Sequence, residues 1–161
     1  MNNDLAAAKK ALRLEMQQQL RTLTTEDRQS LSDDICERVL EMTPWAEAES
    51  VILFSPLPSE PIITPLKLDC EARKISFVNI SQSSRNEAEL HLPETVDLIL
   101  VPGLAFSNDR YRLGRGGGFF DRLLAGRAAK AFKLGVCFSF QVIDSVPTEP
   151  HDVAMNAVAT N

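Results

Sequence analysis

Arg112-Leu113-Gly114-Arg115-Gly116-Gly117-Gly118-Phe119-Phe120-Asp121 gathers four of the chain's seven glycines, two arginines and a carboxylate. Glycine lacks the Cβ that keeps a ligand off the backbone, and it tolerates the positive φ angles of an anion nest. Arg112 and Arg115 carry planar donor forks that match phosphate oxygens. The carboxylate of Asp121 would repel a phosphate, which hints at a metal ion between them. Glycine-rich turns also arise for purely steric reasons. The loop is not a Walker A motif, since Gly118 precedes Phe119 and Phe120 where Lys-Ser/Thr would stand. Nor is it a dinucleotide fingerprint, because Phe119 occupies the place of the third glycine.

Other residues could serve the same chemistry. Lys9 and Arg13 lie four apart on an N-terminal helical stretch and share one face, so they could complete a phosphate clamp. Taken alone, they read equally as solvated basic residues. Glu60 follows an apolar run within a proline-rich loop, and loop carboxylates are often simply exposed. Asp152, in Pro150-His151-Asp152, could cap a turn or join Asp121 as the second carboxylate of a metal site. Phe119 and Phe120 could stack on a ligand ring or anchor the core. No Ser/His/Asp or Cys/His constellation is visible. Such equipment suits holding a nucleotide, and phosphoryl transfer draws most of its catalysis from positioning and electrostatics.

The elements that must position these residues follow from hydrophobic periodicity. Residues 4–23 read as a helix with Leu5, Leu12, Met16, Leu20 and Leu23 on one side. Thr24-Thr25-Glu26-Asp27 starts a second helix with the stripe Leu31, Ile35, Val39 and Met42. Strands are predicted at 51–54, 75–80, 97–101 and 134–138, with a last one near 154–160. Helices are predicted at 64–72 and about 119–130, and 81–94 reads as a connection. Buried strands alternating with helices imply a three-layer α/β/α fold, Rossmann-like, with a largely parallel central sheet. The loops after three of the strands should gather on one rim, where such sheets bind ligands.

Composition bounds the rest. The 161 residues suit a single domain, 1–161, able to bury about 70% of its extended-chain surface. A net charge of −5 and a pI near 5.1 argue against a nucleic-acid partner. No run approaches the ~20 apolar residues of a membrane span, and the first residues lack a signal peptide's apolar core. Cys36, Cys70 and Cys137 are widely spaced in apolar surroundings, as reduced thiols of a cytoplasmic protein would be. His91 and His151 lack the spacing of a metal pair.

Val101-Pro102-Gly103-Leu104-Ala105-Phe106, followed by Arg112 through Arg122, closely resembles the signature of the 5-formyltetrahydrofolate cyclo-ligases, or methenyltetrahydrofolate synthetases. Lys9-Lys10-Ala11-Leu12-Arg13 is similar to the family's N-terminal basic motif, residues 54–60 to its folate loop, and residues 147–152 with Ala157–Thr160 to its C-terminal end. The resemblance implies ATP held by Lys9, Arg13, Arg112 and the backbone of Gly114, Arg115, Gly116, Gly117, Gly118, Phe119 and Phe120. It implies Mg²⁺ on Asp121 and Asp152. Ser55 and Glu60 would face 5-formyltetrahydrofolate, with Arg115, Gly116, Gly117, Gly118 and Phe119 between the substrates, and Arg115 and Asp121 catalytic. The implied reaction phosphorylates the formyl oxygen, closes the ring through N10 and releases phosphate. The protein is expected to act as a cytoplasmic monomer.

Three features depart from the family pattern. Phe120 stands where Tyr is usual, Ile63 where Thr is common, and no Gly-Ile-x-Glu-Pro stretch is recognisable between Ile80 and Asp97. Two alternatives therefore stay open: a paralogue that binds ATP or folate without cyclising it, or another α/β enzyme acting on a phosphorylated small molecule.

Overall fold

The structure, a computed structural model, describes residues 2–81 and 89–161. Within the predicted 81–94 connection, residues 82–88 lie outside the described residues. Five strands form an all-parallel sheet: β1 (Ser50–Phe54), β2 (Ser76–Ile80), β3 (Leu98–Val101), β6 (Phe132–Val136) and β8 (Ala157–Ala159). Their order is β2-β1-β3-β6-β8. The register pairs Val51 with Phe77 on one side and with Leu98 on the other.

Strands β1 and β3 are buried along their whole length, as expected where helices cover both faces of a sheet. Alternation divides their side chains. Val51, Leu53, Leu98 and Leu100 pack with α1 (Asn2–Leu20), α2 (Thr25–Leu40), α3 (Thr43–Glu47) and α4 (Thr64–Arg73) through Met16, Ile35, Trp45 and Leu66. Ile52, Ile99 and Val101 face α5 (Phe119–Ala125) through Leu123 and Leu124. The expected three layers are present.

The helix start at Thr24 is a full capping box: the Asp27 N–H donates to Thr24 Oγ1 at 3.0 Å and the Thr24 N–H to Asp27 Oδ2 at 3.4 Å. Other boundaries differ from expectation. The first helix closes at Leu20, and α5 closes at Ala125, five residues before the predicted end, with Gly126 at φ −112° and ψ −107° as its C-cap. A second sheet, unpredicted, has the order β5-β4-β7, from β4 (Ala105–Ser107), β5 (Arg112–Leu113) and β7 (Val142–Ile143). Its hairpin turns at Arg110, which takes a positive φ of 69°.

Gln141 ties this small sheet to the large one. Its Nε2 donates to the carbonyls of Gly103 and Leu104 at 3.0 Å each, and its Oε1 accepts from the Phe138 N–H at 2.9 Å. The bend after β3 is thereby locked to the loop after β6. Between β1 and β3 the sequence of connections reverses direction across the sheet, the topological switch point at which open α/β sheets bind ligands.

Candidate active site

The glycine loop leaves β5 and enters α5 above that switch point, and the fold explains its shape. Gly116 and Gly118 take φ of +106° and +69°, the left-handed region that disfavours a side chain. The backbone N–H groups of residues 114–118 find no acceptor among the described residues. Free donors on a loop of this curvature suit an anion.

Two cavities meet at the loop. The larger, about 440 Å³, lies over the ends of β1, β2 and β3 and is lined by Phe54, Ile80, Pro102, Glu60, Arg115 and Phe119 among others. That volume is in the range of small-molecule sites. The smaller, about 220 Å³, is bounded by Lys9, Arg13, Glu149, His151 and Asp152. Arg112, Gly114, Gly116, Gly118 and Asp121 line both.

On the smaller side, helix α1 brings in its basic pair. Lys9 Nζ donates to Glu149 Oε2 at 2.7 Å and stands 3.6 Å from Asp152 Oδ2. Arg13 Nε donates to the Gly114 carbonyl at 2.9 Å, so α1 supports the glycine loop directly. Lys9 holds the Glu149 carboxyl below its ordinary value, chiefly through this hydrogen bond. Asp152 Oδ2 accepts from the Glu149 N–H at 2.7 Å, which is the turn-capping role considered for it. Carboxylate and imidazole ligand atoms of Glu149, His151 and Asp152 lie within 4.8 Å of one another.

Arg112 joins the two sides. Its Nη1 donates to the Pro102 carbonyl at 3.1 Å and its Nη2 to Asp121 Oδ1 at 2.8 Å, and Phe120 lies 5.6 Å below the guanidinium. Burial pushes this guanidinium below its ordinary pKa, with Asp121 opposing. Asp121 itself is half-exposed.

On the larger side, Glu60 is buried and Arg115 reaches over to it. Arg115 Nε donates to Glu60 Oε1 at 3.1 Å, and its Nη2 to Ser59 Oγ at 3.0 Å. Glu60 Oε2 accepts from the Leu57 N–H at 2.8 Å. Ser55 stands apart: its hydroxyl accepts from Asn79 Nδ2 at 3.0 Å, and it is not among the residues lining either cavity. Phe119 and Phe120 meet edge to face at 5.5 Å, one toward the cleft and the other under Arg112.

Residues 64–161 match the model of the 5-formyltetrahydrofolate cyclo-ligase family. The chain belongs to this family. The 5-formyltetrahydrofolate cyclo-ligase of Mycoplasma pneumoniae is 28% identical over 161 residues, covering 93% of this chain and 96% of that relative. Its counterpart in Mus musculus is 25% identical over 188 residues, covering 94% and 93%. That of Mycolicibacterium smegmatis is 50% identical over 64 residues, 40% of this chain and 33% of the relative. Among solved structures, the 5,10-methenyltetrahydrofolate synthetase of M. pneumoniae superposes with a TM-score of 0.80 at 27% identity, covering 94% of this chain and 98% of that one. The synthetase of Aquifex aeolicus gives 0.77 at 27%, covering 94% and 89%.

Sequence reasoning passed over several residues of this cyclo-ligase fold's cleft. Phe54 and Ile80 form its apolar floor, Arg122 lines its rim, and Glu149 pairs with Lys9. The apolar two sit at strand ends, where ligands gather, and that position was the available signal. Lys9 and Glu149 are 140 residues apart, so no local pattern links them.

Proposed function

We propose that the protein is an ATP-dependent 5-formyltetrahydrofolate cyclo-ligase, yielding 5,10-methenyltetrahydrofolate, ADP and phosphate. The observation that carries this is the sharing of one loop by two unlike cavities. Arg112, Gly114, Gly116, Gly118 and Asp121 border a polar cavity ringed by charges and a larger, partly apolar cleft. A polyphosphate suits the first and a flat ring system the second, so the reacting groups would meet at the loop.

In this assignment Lys9, Arg13, Arg112 and the free N–H groups of the loop bind the phosphates of ATP. Ser55 and Glu60 face the folate, Ser55 from further out. Arg115, which reaches into the larger cleft from the shared loop, neutralises charge on the phosphoryl group as it transfers. The formyl oxygen bonds to the γ-phosphorus and ADP departs. N10 then bonds to the activated formyl carbon, loses its proton, and phosphate leaves with the former formyl oxygen. No protein nucleophile and no redox change are needed. The residues' work is alignment and charge stabilisation.

The donor set fits a hard divalent cation: Asp121 and Asp152 both border the smaller cavity, and Asp121 keeps one oxygen outside its contact with Arg112. Mg²⁺ held there would neutralise phosphate charge when ATP is bound. The three free, buried cysteines suit a reducing compartment, and we place the protein in the cytoplasm as a monomer. Mixing it with Mg·ATP and 5-formyltetrahydrofolate should raise the near-ultraviolet absorbance of the methenyl product in an ATP-dependent way. No signal at high enzyme concentration overturns the assignment, and calorimetry with ATP then separates a silent binder from an unrelated enzyme.

A further inference from the structure

One face of α2 is committed to the backbone of the loop that carries Glu60. Arg28 Nε donates to the Glu60 carbonyl at 2.8 Å, and Arg28 Nη2 to the Leu57 carbonyl at 3.0 Å. One turn on, the hydroxyl of Ser32 accepts from the Ile62 N–H at 2.9 Å while donating to the Arg28 carbonyl at 2.6 Å. One further turn on, Cys36 Sγ donates to the Ile62 carbonyl at 3.3 Å. Residues 28, 32 and 36 share a face because they are four apart.

These contacts fall on either side of the Glu60 carboxylate. The loop closes on itself through the Glu60 N–H to the Leu57 carbonyl at 2.9 Å and the Leu57 N–H to Glu60 Oε2 at 2.8 Å. Arg28 grips the two carbonyls of that closed turn, and the other carboxylate oxygen receives Arg115 from the glycine loop. Prolines 56, 58 and 61 remove three backbone donors from this segment, so it has few hydrogen bonds of its own to hold a shape. Burial lowers the Arg28 guanidinium's pKa and Glu60 opposes this; the group stays a cation at neutral pH.

We infer that Arg28 is a positioning residue for the reaction: with Ser32 and Cys36 it forms a rack that fixes the loop of residues 57–62, and so the Glu60 carboxylate, against Arg115. Arg28 lines neither cavity, so it acts through Glu60. The consequence is selective. Glu60 borders the larger cleft alone, whereas the residues bordering the smaller cavity are held by α1, the glycine loop and the 149–152 turn. Loosening the rack should weaken folate binding and leave ATP binding alone.

The kinetic half rests on the cyclo-ligase assignment, and the structural half does not. Arg28→Ala and Arg28→Lys would be measured by peptide-level hydrogen exchange across residues 55–63 and by steady-state kinetics with each substrate varied in turn. Arg28→Ala should speed exchange of the Leu57 and Glu60 amides without altering exchange in β1 or β3. It should raise KM for 5-formyltetrahydrofolate about tenfold, the scale of losing charge-assisted hydrogen bonds, with KM for ATP changed less than about twofold. Arg28→Lys, which retains the charge and one donor's reach, should fall between and covers the case in which the alanine variant folds poorly. Unchanged loop exchange overturns the rack. Faster exchange with both KM values moving together, or neither moving, overturns the positioning role. If the wild-type protein makes no methenyl product, the cyclo-ligase assignment fails and with it the kinetic role, while the exchange result still decides the rack.

Discussion

Arg112 donates from Nη2 to Asp121 Oδ1 across 2.8 Å, yet its own Nε is shut off from solvent and has no acceptor among the described residues. A buried guanidinium whose Nε is unpaired is costly, because an unpaired buried polar group keeps its desolvation penalty. Both cavities border this side chain, so its charge is felt in each although Nε itself is closed off. Asp121 thus holds one flank of Arg112 while keeping its second oxygen for the cavity.

Asp121→Asn should separate these two duties. The amide oxygen can still accept from Nη2, but the buried Arg112 loses its counter-ion, so stability should fall by about 1–3 kcal/mol. With Mg²⁺ held at Asp121 as proposed, losing this carboxylate should lower kcat at least about a hundredfold, since metal stabilisation of a phosphoryl transition state is worth several kcal/mol. Thermal melting and ATP-dependent turnover decide it. A collapsed melting temperature would make Asp121 a structural counter-ion instead.

Lys9→Ala should raise KM for ATP about tenfold with the fold intact, on the scale of a lost charge-assisted contact. Unchanged KM would return Lys9 to the role of a solvated helix residue paired with Glu149.

The same pair sets a pH dependence. The Glu149 carboxyl lies below its ordinary value of 4.5 because Lys9 hydrogen-bonds its ionised form. A depressed carboxylate contributes stability above the unfolded pKa and loses it as pH falls through the folded value. Glu149→Gln should therefore melt slightly below wild type at pH 7. The gap should narrow once pH drops below about 4.5 and close when Glu149 is protonated in both states. A gap that persists at pH 2 would show that Glu149 acts by packing.

Much of this architecture was legible because apolar residues repeat at the periods of helices and strands. The α1 stripe at Met16 and Leu20, the capping box at Thr24, and the unbroken apolar runs of β1 and β3 are all local signals. Strands β4, β5 and β7 are two or three residues long and exist only by pairing across the chain, as Phe106 does with Arg112 and Val142. No window of sequence encodes that. Residues 126–130 read as helix because alanine and basic residues favour one, but Gly126 leaves the helical region and ends it. In the site, the glycine loop declared itself by composition. Arg28 and Glu149 did not, because each matters through a partner 29 or more positions away.

Gly116→Ala tests the loop backbone itself. At φ +106° an added Cβ is strained whatever the surrounding space, at a cost of about 1–2 kcal/mol. The three atoms nearest that Cβ belong to the Arg13 guanidinium, the closest at an ordinary contact distance of 3.6 Å, so packing should survive. The loop should relieve the strain by turning its N–H groups away from the anion nest. Melting should fall by a few degrees while KM for ATP rises. A variant with wild-type KM would show that the nest contributes nothing to nucleotide binding.

Glu60→Gln bears on the larger cleft. Among the described residues, the wild-type carboxylate accepts from the Leu57 N–H and from Arg115 Nε. A glutamine has one oxygen and one NH₂ group, so it can satisfy the loop or the arginine but not both. If the oxygen keeps Leu57, the NH₂ faces a guanidinium and Arg115 is released from its place on the wall of the larger cleft. At a site this buried the mismatch should cost about 1–3 kcal/mol of stability. Turnover should fall further than stability alone explains, because Arg115 then meets neither substrate in a fixed pose. Glu60→Asp keeps the charge but shortens the reach, so it should retain the ion pair's sign and lose the loop contact. The comparison of the two variants is the check. If Gln is the milder in kcat/KM for 5-formyltetrahydrofolate, the hydrogen bond to Leu57 matters more than the charge opposite Arg115. If Asp is the milder, the charge opposite Arg115 is what the cleft requires.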